Sequence, residues 1–183
     1  LLNMTSGAGL LMAVGDSGIV LTSTNGSTWT RQTSGSANNF NGATYGDTKN
    51  LFVAVGDLGT IQTSPNGTDW TSQVSGTSKN LYATSSAGST AIMVGDGGGI
   101  LATSDGIHWV AQTSNATNNL FGASYGAGKF VVVGDSGTVL SSPDGFTWSA
   151  QISGTANSLR GVNYVNGLFV AAGVNGTILS TAD

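Results

Sequence analysis

Four copies of one acidic turn carry the most conspicuous chemistry of this 183-residue chain. Asp16, Asp57, Asp96 and Asp135 each sit between glycines as Gly-Asp-x-Gly. A carboxylate so placed can move protons, ligate a hard cation through oxygen at about 2.3–2.6 Å, or accept hydrogen bonds from hydroxyl groups. Catalysis fits worst. All nine acidic residues are Asp and none is Glu, which excludes the usual Glu-based glycosidase pairs. Asp pairs remain conceivable, yet recurrence at one repeat position marks a scaffold and not a single active site. Arg31 and Arg160 are the only arginines and fall at different places in the repeat, so no arginine cluster awaits an acidic substrate. His108, the sole histidine, could enter a Ser-His-Asp triad on paper, but it stands beside Trp109 where other copies carry Thr or Asp. A solvated strand position accounts for it. One Asp per turn also falls short of the dense acidic spacing of a calcium loop. The expectation is no enzyme, no metal and no cofactor.

Composition removes further classes. Charged residues are 8% of the chain and the net charge is −4, which argues against nucleic acid and anionic membranes, both of which need clustered Lys and Arg. No apolar run approaches the ~20 residues of a membrane helix. With no Cys, neither disulfides nor thiolate metal sites can form. A hydrophobic content of 39% still provides for a packed core.

The elements that hold the acidic turns repeat with them. Trp29, Trp70, Trp109 and Trp148 are spaced by 41, 39 and 39 residues, and a Gln follows each by three, at 32, 73, 112 and 151. Val-Gly recurs at 14–15, 55–56, 94–95 and 133–134, with Ala172-Gly173 as a fifth copy. In the fourth unit the apolar segments 120–125, 129–133, 138–141 and 147–153 alternate with Gly-rich turns, the pattern of a four-stranded meander. Four antiparallel strands per ~39 residues, repeated, predict an all-β, five-bladed β-propeller. A β-solenoid is the rival, with shorter coils and fewer hairpins. The blades are expected at 1–39, 40–80, 81–119, 120–158 and 159–183, as one domain. The fifth lacks its outer strand and the Trp due near position 187, leaving an edge open to association. A chain starting at Leu1 leaves room for a leader or further domains ahead of it.

The third turn of each unit carries a family signal. The copies are Ser23-Thr24-Asn25-Gly26-Ser27-Thr28-Trp29, Ser64-Pro65-Asn66-Gly67-Thr68-Asp69-Trp70, Ser104-Asp105-Gly106-Ile107-His108-Trp109 and Ser142-Pro143-Asp144-Gly145-Phe146-Thr147-Trp148. They resemble the Asp-box (BNR-type) repeats of sialidase-like propellers and the repeats of photosystem II assembly-factor-like proteins, one residue shorter and with Asn for Asp in two copies. Such repeats occur in enzymes, bacterial surface proteins and phage fibres alike. Physically, Ser and Asx side chains can accept backbone N–H bonds across the turn while Gly takes a positive φ. A stapling role is therefore expected for Asn25, Asn66, Asp105 and Asp144, and a wedge between blades for the four Trp.

In a propeller the Gly-Asp-x-Gly turns and the blade-to-blade links open on one face. The candidate ligand residues are Asp16, Asp57, Asp96 and Asp135 together with Asn39, Asn80, Asn119 and Asn157, beside links dense in Ser, Thr and Gly. Short neutral donors and acceptors beside a carboxylate suit sugar hydroxyls, so glycan binding is the leading expectation. Tyr45, Tyr125 and Tyr164 recur at the end of the first strand, as core or channel lining or as sugar-stacking groups. Asn-x-Ser/Thr occurs at Asn3, Asn25, Asn66, Asn115 and Asn175, where Asn-Gly turns explain three of the five. The expected role is a non-catalytic binding module, extracellular, on a cell surface or on a virion. The alternative is a structural subunit of a fibre, virion or filament associating through blade edges, and third a glycoside hydrolase.

Overall fold

The computed structural model describes residues 1–46 and 50–182. Asp47 and Asp183 lie outside the described residues. The chain is all-β: five antiparallel sheets of four, four, four, four and three strands follow one another along the chain. Blade 1 holds β1 (Asn3–Gly7), β2 (Leu10–Val14), β3 (Val20–Ser23) and β4 (Thr30–Gln32). Blade 2 holds β5 (Phe40–Gly46), β6 (Leu51–Gly56), β7 (Ile61–Ser64) and β8 (Thr71–Gln73). Blade 3 is β9 (Leu81–Ala87), β10 (Thr90–Gly95), β11 (Ile100–Thr103) and β12 (Val110–Gln112). Blade 4 is β13 (Leu120–Gly126), β14 (Lys129–Gly134), β15 (Val139–Ser142) and β16 (Ser149–Gln151). Blade 5 stops at β17 (Leu159–Val165), β18 (Leu168–Gly173) and β19 (Ile178–Ala182).

The first strands sit side by side, β1 on β5, β5 on β9, β9 on β13 and β13 on β17, and so surround the propeller axis. Among the described residues no comparable packing joins β1 to β17, so the five blades form an open arc, with the fifth lacking its outer strand as the repeat count implies. The second strands of blades 2, 3 and 4 are sandwiched between neighbouring sheets. That is why Phe52-Val53-Ala54-Val55 and Phe130-Val131-Val132-Val133 are continuous apolar runs instead of alternating ones, all buried.

The core is divided by junctions. Ile92, Val94, Ile100 and Ala102 of blade 3 pack on Leu120, Phe130, Val132, Leu140 and Trp148 of blade 4. Val53, Val55 and Ile61 of blade 2 meet Leu81, Met93, Leu101 and Trp109 of blade 3 in the same way. Trp70 packs on the blade 1–2 cluster of Met12, Val14, Phe40 and Phe52. Each of these indoles is thus a wedge driven against the preceding blade, as expected for the motif. The outer strands are shorter than expected, because in the fourth unit pairing begins at Ser149, after Trp148 has turned inward.

Candidate functional site

Two turn types set the chemistry at opposite edges of each blade. In the Gly-Asp-x-Gly turn the N–H three residues on returns to the Asp carbonyl, as Ile19 N to Asp16 O (3.1 Å) and Thr138 N to Asp135 O (3.0 Å). Both central residues take positive φ, as Ser17 (54°) and Gly18 (67°), the signature of a type I′ hairpin. A Cβ on Gly18 would lie 1.9 Å from the Ser36 carbonyl oxygen, so the glycine is required by space as well as by φ. Three of the four carboxylates reach the inner-strand entry of a blade.

Those contacts bring the two halves of the expected site together. Asn39 Nδ2 donates to Asp57 Oδ2 (2.9 Å) while its Oδ1 accepts the Ser17 N–H (2.9 Å) of the preceding blade. Asn80 Oδ1 likewise accepts from Leu58 N (3.1 Å), and Asn119 Oδ1 from Gly97 N (2.8 Å). Asp96 Oδ2 accepts the Asn80 N–H (3.0 Å). Asp135 Oδ1 accepts from the Ser158 hydroxyl (2.8 Å). The Asn and Asp predicted to meet a ligand are therefore bonded across and within blades as staples, and Asp16 is the exposed exception. Asn157 belongs to another set. It shares its place with Asn38 and Asn118, whose Nδ2 groups bond Thr60 and Thr138 Oγ1, just as Asn157 bonds Thr177 Oγ1 (2.7 Å). Ser158 holds the position equivalent to Asn39.

A second row on this face escapes the sequence pattern. The inner strands of blades 2 to 5 carry a bulge after their first residue, with Phe40, Leu81, Leu120 and Leu159 opposite the Gly that ends the second strand. The bulge re-aims the next side chain. These are Asn41, Tyr82, Phe121 and Arg160, with Leu2 at the matching register of blade 1. Tyr82 and Phe121 rings lie 5.2 Å apart, and the Arg160 guanidinium stacks 4.1 Å from the Phe121 centroid. Arg160 Nη2 stands 3.7 Å from Asp135 Oδ1. The Tyr82 hydroxyl donates to Asp96 Oδ1 (2.6 Å), and partial burial, then that carboxylate, push the phenol pKa up. Asn41 Nδ2 donates to Asp57 Oδ1 and to the Leu81 carbonyl. The signal that could have revealed this row is its failure to repeat: Leu, Asn, Tyr, Phe and Arg occupy one position of an otherwise recurring unit.

The remaining candidates fall elsewhere. Tyr45, Tyr125 and Tyr164 sit at the far end of the inner strands, their rings 4.7 to 4.8 Å from Phe52, Phe130 and Phe169. In the third turn Asn25 Oδ1 accepts the Ser27 and Thr28 N–H bonds, and Ser23 Oγ accepts those of Asn25 and Gly26. Asn66, Asp105 and Asp144 do the same in their turns. Thr103, and not Ser104, takes the Ser place in the third copy, its Oγ1 accepting from Asp105 and Gly106 N. Trp29, Trp70 and Trp148 close the motif by donating Nε1–H to the turn glycine's carbonyl. His108 Nδ1 lies 2.6 Å from Asp105 Oδ2, which with the turn amides holds that carboxyl well below its ordinary range. His108 is thus an exposed surface partner of the turn, on the same carboxylate that accepts the Thr103 hydroxyl.

No family model matches the chain, and no curated protein does. Solved structures match in fold. A structure of YCF48 bound to D1 peptide superposes with a TM-score of 0.73 at 19% identity, over 98% of this chain and 62% of that one. YCF48 from Cyanidioschyzon merolae gives 0.73 at 18%, over 100% and 66%. The WD40 propeller domain of Doa1 gives 0.71 at 17%, over 98% and 64%. The chain therefore spans just under two thirds of these propellers, and its blades have the propeller fold.

Proposed function

We propose that the chain is a non-catalytic binding module that grips a polypeptide segment on the face lined by Asn41, Tyr82, Phe121 and Arg160. The observation that carries this reading is the non-repeating row itself. A recurring scaffold needs one residue type at each position, and the five different side chains at the mouth of the axis depart from it, although Asn41, Tyr82 and Arg160 also bond Asp57, Asp96 and Asp135. The row offers an aliphatic group, an amide, two aromatic rings and a guanidinium, the mixture that matches apolar side chains, peptide amides and carboxylates. The uniform Asp–Asn array that suited sugar hydroxyls is largely consumed by its own hydrogen bonds. A propeller of this fold holds a peptide in one of the similar structures.

Glycan recognition is the second reading, favoured by one groove. About 660 Å³ opens between the links 75–80 and 113–116, walled by Thr77, Asn80, Asp96, Thr113 and Trp109. The Trp109 indole packs in the blade 2–3 core behind this groove, its Nε1 buried without a hydrogen-bond partner. The scarcity of charge supports an extracellular or surface setting in both readings.

The test is paired screening on a random-peptide library and a glycan array, followed by titration of the hits against Phe121→Ala and Arg160→Ala. Peptide hits weakened tenfold or more by both variants, with unchanged thermal midpoints, are expected. Hits on glycans alone would transfer the assignment to the groove, and peptide hits indifferent to both variants would end the proposal.

A further inference from the structure

The third turns of blades 1 and 2 are alike except for one partner. Each holds an exposed Asn followed by Gly, Asn25-Gly26 and Asn66-Gly67. In both, the carboxamide oxygen takes three donors. Asn25 Oδ1 accepts from Ser27 N (2.9 Å), Thr28 N (2.9 Å) and the Ser23 hydroxyl (3.2 Å). Asn66 Oδ1 accepts from Thr68 N (3.0 Å), Asp69 N (2.9 Å) and the Ser64 hydroxyl (3.2 Å). The side-chain nitrogens differ. Asn66 Nδ2 donates to Asp69 Oδ2 (2.8 Å), whereas blade 1 has Thr28 at the place of Asp69. Asn39 and Asn41 also donate to a carboxylate, that of Asp57, but both are half-buried and their oxygens accept at most one main-chain N–H.

The surroundings of Asn66 suit the breaking of its amide. Donors fixed on a carbonyl oxygen stabilise the charge it gains when its carbon is attacked. The cradle favours such charge: in blade 4 the Thr147 and Phe146 amides hold the Asp144 carboxyl below its ordinary range. A carboxylate within reach of the leaving nitrogen can take a proton from water and return it to that nitrogen. Asn66 and Asp69 are both exposed, so water reaches the carbon. The alternative attack, by the glycine nitrogen to close a succinimide, is restrained. Gly67 N–H is tied to Ser64 Oγ (2.8 Å), and the glycine is buried, its Cβ position 3.3 Å from Leu10 Cδ1 and 3.4 Å from Thr22 Cγ2. Ring closure therefore requires the turn to open.

We propose that Asn66 is a self-modification site, where water hydrolyses the side-chain amide to a carboxylate with Asp69 as general base and then general acid. Water adds to Cγ and gives a proton to Asp69. The charge on Oδ1 is held by the Thr68 and Asp69 amides and the Ser64 hydroxyl. Asp69 passes the proton to Nδ2, the C–N bond breaks and ammonia leaves. The amide and a water thus become a carboxylate and an ammonium ion, with no redox change. The product carries the Asp that blades 3 and 4 already have at this position, and Asp69, now facing a like charge, turns to solvent. The site is separate from the Tyr82–Phe121–Arg160 row and does not depend on it.

The intact chain is incubated at neutral pH, and positions 25 and 66 are followed by mass mapping of chymotryptic peptides, with isoaspartate read by its specific methyltransferase. Asn66 is expected to convert at least about tenfold faster than Asn25, within what one general acid–base group supplies. Its product is aspartate without isoaspartate. Asp69→Asn lowers the rate at position 66 to that at position 25, and Thr28→Asp raises the rate at position 25 to that at position 66. Should one variant fail to fold, the other decides together with the wild-type ratio. Equal rates at the two positions in the wild type overturn the proposal. So does isoaspartate as the main product at position 66, which would assign the attack to the Gly67 nitrogen. An unchanged rate in Asp69→Asn, or Asn66 left intact after months of incubation, overturns it likewise.

Discussion

The blade 3–4 and blade 4–5 junctions are built from the same repeat and differ in one strand. At the first, Trp148 is 7% exposed and closes a cluster in which Ile100 is 1% exposed. At the second, Val139, the equivalent of Ile100, is only half-buried, and the space beside it is empty. The bulged inner strand, the apolar second strand and the type I′ turn carry over, while Ser158 stands where Asn119 bridges blades 3 and 4. An indole on the outermost strand therefore decides whether two neighbouring blades share a solid core or only a hinge-like contact near the axis. The comparison teaches that the wedge-filling role belongs to the fourth strand, and that the inner three strands alone leave it vacant.

The largest test removes the difference. Trp148→Ala is expected to cost about 3–5 kcal/mol, the range for deleting a buried aromatic side chain, read from denaturant midpoints. A cost below about 1 kcal/mol, the scale of a surface change, would break the comparison. Val139→Phe at the vacant junction should be neutral or stabilise by up to about 1 kcal/mol, as cavity-filling changes do. The next test uses the paired glycines. Gly137 and Gly176 both take left-handed φ (67° and 69°), where any other residue costs about 1–2 kcal/mol. A Cβ on Gly137 would also meet the Thr155 carbonyl oxygen at 2.0 Å, while one on Gly176 meets nothing within 4 Å. Gly137→Ala should therefore lower the thermal midpoint clearly more than Gly176→Ala, and equal shifts would show that the backbone conformation alone, and not the Thr155 contact, sets the cost.

The smallest effect contrasts the third turns of blades 3 and 4 with those of blades 1 and 2. The His108 imidazole first, then the turn amides, depress the pKa of Asp105, and the Thr147 and Phe146 amides depress that of Asp144. A carboxyl whose folded pKa is lowered adds stability above its unfolded pKa of about 4, and that contribution is lost as pH falls through the folded value. Unfolding free energies should fall from pH 5 towards pH 2 more steeply in the wild type than in the double variant Asp105→Asn, Asp144→Asn, whose turns then match Asn25 and Asn66. Parallel curves would remove these carboxylates from the acid response.

The blades could be read from the chain because Trp, Val-Gly and Gln recur at one spacing, and that spacing reports strand pairing directly. The wedge role of Trp and the stapling role of Asn25, Asn66, Asp105 and Asp144 followed from local chemistry, since every bond of that turn lies within three residues. The Asp–Asn staples were found as two separate candidates and not as partners. Their bonds join residues 16 to 22 positions apart, a distance fixed by how the inner strand meets the turn and not by any local pattern. The Tyr82–Phe121–Arg160 row depends on the bulge, which shifts alternation by one residue and is invisible to a period-two reading. The open arc could not be read from repeat counting, because the angle between blades is set by side-chain volumes at the junctions.

The asparagine staples have a mechanical consequence. Asn39, Asn80 and Asn119 each tie one blade to the next and to none beyond, so long-range order along the arc is passed on only between neighbours. Such a chain of blades behaves as a one-dimensional lattice, in which stability is a sum over units and couplings and opening begins at the weakest coupling. Among the described junctions that is blade 4–5, where Ser158 and Arg160 reach Asp135 and Tyr164 N bonds Ser124 Oγ without an asparagine bridge or an indole. Amide exchange should therefore be faster in β17 and β18 than in β9 and β10.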